Sequence, residues 1–175
     1  GLDRAAFIHA SEISLREGPA VESISALVHE GQSLVVQVTK DPIGHKGARL
    51  TSQVTLAGRF LVLVPSGGMT GVSRKLPDRE RARLKSIVSK IAPKDMGVII
   101  RTAAEGASEE AIEKDLEALR RQWDKICEKR DLYLHGKRPK LLQGEPDVAI
   151  RVVRDIFNDD FSKLIVEGDK VHDRI

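Results

Sequence analysis

The run VIIRTAAEG, from Val98 to Gly106, constrains this chain more than any other stretch. Three consecutive β-branched residues read as a buried strand, and an arginine and a threonine stand side by side where it ends. Gly106 breaks the pattern, and a helix start follows. Ser108 supplies a hydroxyl for the first turn, and Glu109 and Glu110 supply carboxylates for the positive end of the helix dipole. A strand, a tight turn and a capped helix in so few residues leave Arg101 and Thr102 little room to separate. A planar guanidinium gives charge-assisted hydrogen bonds, and a hydroxyl and nearby backbone N–H groups add to them, so the pair suits a phosphate. From the residue types alone, the plainer reading of Arg101 as a strand-end salt-bridge residue comes first; the rest of the chain changes the balance.

The surrounding pattern is α+β. Residues 1–52 are β-rich. AAFI at 5–8 is a short strand candidate, LVVQVTK at 34–40 a stronger one, DPIGHKG at 41–47 a loop, and ARLT at 48–51 resumes the extended pattern. Short strands, glycine-bearing loops and a basic tip suit a small barrel of the OB type, here only partial. Residues 53–147 are mixed. FLVLV at 60–64 is a buried strand ending at Pro65, SGGMTG a loop, and VSRK a short strand or turn. A helix then carries Pro77 in its first turn and Leu84, Ile87, Val88 and Ile91 on one face. GVII at 97–100 is the second buried strand. The helix capped by Ser108 bears the stripe Ile112, Leu116, Leu119, Trp123 and Ile126. Residues 131–147 hold Gly136, Pro139, Gly144 and Pro146 and read as a connector. From Asp147 the spacing of Val148, Val152 and Ile156 predicts another amphipathic helix, and KLIVE at 163–167 a strand without its partners. No internal repeat or low-complexity segment is visible.

Composition excludes several classes. A chain of 175 residues holds one medium domain or two small ones. Its charged residues make up 31% and are of both signs, and the net charge of +3 does not by itself mark a polyanion binder. The single cysteine, Cys127, excludes an intrachain disulfide and a multi-cysteine zinc site, and points to a cytoplasmic protein. No apolar run approaches the roughly 20 residues of a membrane-spanning helix, and no secretory signal is visible. The opening without methionine, inside a structured segment, and the abrupt end read as a fragment of a longer protein.

Few residues carry chemistry. Lys46, between Gly44 and Gly47, is free to reach a phosphate or is a solvated lysine in a hairpin turn; the spacing is not that of a P-loop. Phe7, beside Arg4 and His9, is either a base-stacking platform or a core residue, and with six aromatics in the chain the two readings are even. Arg74 and Lys75 follow a glycine-rich loop and either face a polyanion or form a solvated surface. The five histidines, His9, His29, His45, His135 and His172, lack metal-ligand spacing. The pair Asp159-Asp160 suggests magnesium less than it suggests a turn or helix end. No catalytic constellation can be assembled.

Five collinear blocks resemble the ribonuclease E/G family of bacterial endoribonucleases, on its ribonuclease G side. They are GLDRAAFIHASEI at 1–13, VVQVTKDPIGHKGARLT at 35–51, LAGRFLVLVP at 56–65, GVSRKL at 71–76 and IIRTAAEG at 99–106. The likeness covers nearly the whole chain and weakens between 127 and 144. It implies a partial OB-type RNA-binding barrel over 1–52, a mixed α/β 5′-sensor domain over 53–147 and the start of an RNase H-like segment over 148–175. It further implies that Arg101 and Thr102 grip a 5′-phosphate and that Gly58 and Val62 contact the terminal nucleotide. Arg74 stands near that pocket, and Phe7 and Lys46 touch single-stranded RNA. Lys75, where some members have arginine, is likewise implied to touch RNA. The parent would be a magnesium-dependent endoribonuclease, a homo-oligomer through regions outside this chain. Its catalytic carboxylates and metal site would also lie outside, leaving no catalytic residue, metal site or cofactor within these residues. The rival expectation is a non-enzymatic RNA-binding module with an OB-type barrel.

Overall fold

A computed structural model of the chain describes residues 2, 4–13, 24–158 and 160–175. Among them the strands fall into two separate small sheets. The first holds β1 (Phe7–Ile8), β2 (Gln37–Lys40) and β3 (Arg49–Thr51) in the order β1-β3-β2. β1 runs parallel to β3, β2 runs antiparallel to it, and the register slips between Val38 and Lys40. The loop joining β2 to β3 closes on itself: Ile43 N–H donates to Lys46 carbonyl at 3.2 Å, and Lys46 N–H returns to Ile43 carbonyl at 3.0 Å. Gly47 follows, and a Cβ there would collide with the backbone carbonyl of Ala5. Only a glycine lets the loop and the N-terminal segment come this close.

The strands are shorter than their sequence runs. The predicted strands at 5–8 and 34–40 pair only over Phe7–Ile8 and Gln37–Lys40, because the short β3 between them limits the ladder. Among the described residues no barrel closes; β1 and β2 are open edges.

The second sheet holds β4 (Leu56–Ala57), β5 (Leu61–Val64), β6 (Gly71–Val72) and β7 (Gly97–Ile100) in the order β4-β5-β7-β6. β5 is antiparallel to both β4 and β7, and β6 is parallel to β7. Strand alternation divides its faces. Leu61, Leu63, Val98 and Ile100 are buried on one face, against helices α1 (Asp78–Ile91) and α2 (Glu109–Tyr133). Leu84, Ile87 and Val88 of α1 and Ile112, Leu116, Leu119 and Ile126 of α2 complete this core, with Ile91 and Trp123 half-buried beside it. Each such side chain contributes about 1.5–3 kcal/mol of burial. Ser108 caps α2 as its position suggests, its Oγ accepting from Ala111 N–H at 3.1 Å.

Hydrogen bonds from an ion pair within α1 tie that helix to the loop before α2. Glu80 pairs with Arg83 at 2.7 Å and accepts from Gly106 N–H at 2.9 Å, while Arg83 reaches the Ala107 carbonyl at 2.9 Å. The Arg83 hydrogen bonds, and then the Gly106 N–H, hold the Glu80 carboxyl down at about 2.

Beyond α2 come α3 (Val148–Asp155) and the single-turn α4 (Asp169–His172). Asp147 caps α3 through Ala149 N–H at 3.0 Å, as a helix beginning after it requires. The apolar stripe that faces inward is not the expected one. Val148 is 63% exposed and Ile156 56%, whereas Ile150, Val153 and Phe157 line a pocket with Ala118 and Leu119 of α2. Both triplets have helical spacing, so periodicity cannot choose between them; contact with α2 does. Residues 163–167 form no strand, since no described strand lies beside them to pair. Asp159 lies outside the described residues; Asp160 donates its N–H to Asn158 Oδ1 at 2.9 Å, a turn contact. Among the described residues no helix is long and apolar enough to cross a membrane.

Candidate functional site

The end of β7 is flanked by backbone on both sides. Arg101 N–H donates to Phe60 carbonyl at 2.8 Å, and Ser73 N–H donates to Ile100 carbonyl at 3.0 Å, so both ladders run one step past the strand. The chain then turns through Thr102–Ala104 in a single 3-10 turn, with Ala104 buried beneath it. Thr102 Oγ1 and Ser73 Oγ lie 2.7 Å apart, a direct hydroxyl–hydroxyl hydrogen bond. Arg101, Thr102 and Ser73 open on one pocket of about 560 Å³, also lined by Gly71, Ile99 and Asp155.

Arg101 is held at several points. Nη1 donates to the carbonyl of Gly58, and to that of Arg59 at 3.4 Å; Nη2 donates to Asp155 Oδ1 at 2.8 Å. Asp155 in turn takes Arg154 through both oxygens, Nε on Oδ1 at 2.9 Å and Nη2 on Oδ2 at 2.8 Å. Arg154 first, and Arg101 after it, hold the Asp155 carboxyl down at about 2 against the opposing effect of burial. Thus the strand-end salt bridge expected from residue types is present, and it lies inside the pocket that Arg101 shares with Thr102.

The carbonyls reaching Arg101 are aimed by a second carboxylate. Asp115, on α2, accepts the N–H groups of Arg59, Phe60 and Leu61, each at 3.0 Å. With the N–H groups turned toward α2, the carbonyls of Gly58 and Arg59 meet the guanidinium. Gly58 must be glycine for this to happen: a Cβ would sit 2.6 Å from both Asp115 oxygens. Its own N–H is already donated to Leu61 carbonyl at 2.8 Å.

The remaining candidates are distributed more widely. Val62 pairs in register with Ile99 on the sheet face away from the helices and lines neither this pocket nor the one beside α3. Arg74 and Lys75 follow Ser73 directly and are exposed; among the described residues neither has an ion-pair partner, and neither lines the pocket. Phe7 and Lys46 belong to the other sheet. Phe7 is 49% exposed on β1, so it is not a core residue, and Lys46 is exposed at the loop tip. Arg4 donates to the Gly44 carbonyl, which ties the segment before Phe7 to the loop of Lys46.

Three residues of the site escape sequence reasoning: Ser73, Asp115 and Asp155. Asp115 did leave a signal. It falls between Ile112 and Leu116 on the buried side of α2, where a carboxylate needs donors from another element. Asp155 left none, because a carboxylate beside Arg154 at a helix end reads as a local ion pair and nothing marks its reach to Arg101. Among the described residues no group of three or more His, Cys, Asp or Glu side chains is placed to hold a metal ion.

The model of the Ribonuclease E/G family matches residues 55–175, which include the whole pocket. Ribonuclease G of Haemophilus influenzae is 41% identical over 96% of this chain, as is ribonuclease G of Escherichia coli K12. Ribonuclease E of a Nostoc species is 38% identical over 95%. The chain spans 36% of the length of the first two relatives and 24% of the third. With a family model covering well over half its length and likeness extending across nearly all of it, the chain belongs to the ribonuclease E/G family.

Proposed function

We propose that this chain is the RNA-recognition part of an endoribonuclease that processes single-stranded RNA, and that its pocket senses a 5′-monophosphate. The observation that carries the reading is the joint presentation of Arg101, Thr102 and Ser73 at the end of β7, around one pocket. A terminal monophosphate brings up to two charges and three free oxygens, and an internal phosphodiester brings one charge. A guanidinium beside two hydroxyls exploits that difference. Gly58 contributes by holding Arg101. Val62 offers an apolar surface to the terminal nucleotide, and Arg74 and Lys75 supply unpaired positive charge nearby. Phe7 and Lys46 extend the RNA path onto the first sheet. On this reading 1–52 is part of an OB-type barrel, 53–147 the 5′ sensor and 148–175 the start of an RNase H-like segment. The names of the relatives support RNA as substrate. Hydrolysis, its magnesium and the contacts that make a homo-oligomer would belong to the rest of a cytoplasmic parent.

The test is a fluorescence-anisotropy titration with short labelled RNAs that differ only at the 5′ end, at one salt concentration. The 5′-monophosphate form should bind better than the 5′-hydroxyl form by about 1–3 kcal/mol, the worth of one or two charge-assisted bonds. Arg101→Ala should abolish the difference and Thr102→Val reduce it. Equal affinity for both ends in the folded chain would remove the sensor and leave a general RNA-binding module. The same samples, incubated with magnesium, should leave the RNA intact.

A further inference from the structure

Asp155 occupies a place that the phosphate reading does not explain. It is the last residue of α3, yet its carboxylate lines the pocket and lies 2.8 Å from Arg101 Nη2. A lone carboxylate there would cancel the charge of Arg101 and repel an incoming anion. Arg154 alters the balance. It closes on both oxygens of Asp155 at 2.8 and 2.9 Å, so the negative charge is already matched from behind. The three groups together keep one net positive charge, and that charge faces the pocket as Arg101.

What Asp155 gives Arg101 is therefore direction. The guanidinium is fixed at one nitrogen by the turn after β4 and at the other by the end of α3. Its Nε–H and the second hydrogen of Nη2 have no protein acceptor among the described residues, and Arg101 lines the pocket. An arginine frozen in advance loses less rotamer entropy on binding than one free to swing. Resting on the 5′-phosphate reading of the pocket, we propose that Asp155, backed by Arg154, is the positioning residue for Arg101 and sets the strength of the 5′-end preference. The proposal also makes α3 part of the sensor, although sequence boundaries place it in the next segment.

The experiment measures affinity of the 175-residue chain for 5′-monophosphate and 5′-hydroxyl RNAs of one sequence, in the parent and in Asp155→Ala, Asp155→Ser and Asp155→Asn. α3 buries none of its residues fully, so these variants are expected to fold. Alanine and serine cannot reach Nη2; each should cut the 5′-monophosphate preference three- to tenfold while 5′-hydroxyl affinity stays within twofold. Asparagine keeps an oxygen for Nη2 and should retain most of the preference. A purely structural role would lower the melting temperature and leave the ratio of the two affinities alone. A competing role would raise 5′-monophosphate affinity in alanine and serine. Either result overturns the proposal. If alanine fails to fold, the contrast between serine and asparagine decides. A parent without any preference sinks the phosphate reading and this proposal with it. A parent preference that survives intact in alanine or serine sinks this proposal alone.

Discussion

The two sheets handle burial in opposite ways. The four-stranded sheet has two long helices on one face, and Leu61, Leu63, Val98 and Ile100 beneath them are fully enclosed. Among the described residues no helix of comparable length packs against the three-stranded sheet. Among the described residues Ile13, Ala48 and Thr51 are buried in and beside it, while Phe7 and Val38 stand half out in solvent. The pocket of Arg101 grows from the first kind of structure and the candidate RNA contacts Phe7 and Lys46 from the second. A phosphate pocket needs donors held to a fraction of an ångström, which a packed core provides. A surface that follows single-stranded RNA tolerates looser support, since stacking and charge ask less of geometry.

The sharpest way to break the comparison is to truncate one apolar side chain in each sheet to alanine. Leu63→Ala should cost about 2–5 kcal/mol in chemical denaturation, because it leaves a cavity in an enclosed core. Val38→Ala, at a site 44% exposed, should cost under about 1 kcal/mol. Equal losses would mean that both sheets share one core and that the contrast is false.

Acid probes the packed half more gently. Asp155 and Glu80 are both held at about 2, below the ordinary carboxylate value near 4. A lowered folded-state pKa stabilises fully above the unfolded value and is lost as pH falls toward 2. Melting temperatures followed from pH 6 down to pH 2 should therefore decline mainly below about pH 4. Asp155→Asn should shallow that decline, and a decline of unchanged steepness would detach Asp155 from the stability of this half.

The smallest effect belongs to the open sheet. Lys46→Ala should weaken RNA binding modestly and lower the slope of log affinity against log salt by roughly 0.7, one single-strand phosphate contact. Phe7→Ala should weaken binding with the slope unchanged, as loss of a stacked base requires. If both variants fold and bind like the parent, the first sheet takes no part in RNA recognition and the pocket stands alone.

Sequence legibility follows the same division. The strand at 97–100, the Ser108 cap and the stripe from Ile112 to Ile126 all appear where their patterns put them, since propensity, capping and burial agree there. The long strand at 34–40 does not, because pairing length depends on a partner whose length no local pattern encodes. Within the site, Arg101 and Thr102 adjoin in sequence and line one pocket, whereas Gly58 stands out only through the family resemblance, and its carbonyl contact with Arg101 is tertiary. The Asp155 contact was not, since nothing local to RVVRD distinguishes a carboxylate that caps from one that reaches another element.

Sequence alone therefore determined which residues stand at the end of β7, and through its collinear blocks it determined the family. Both are properties of short runs and their order along the chain. Tertiary structure decided which face of α3 turns inward, where β2 stops pairing and what holds the Arg101 guanidinium. Those outcomes depend on contacts between residues far apart in the chain, and periodicity carries no record of such contacts.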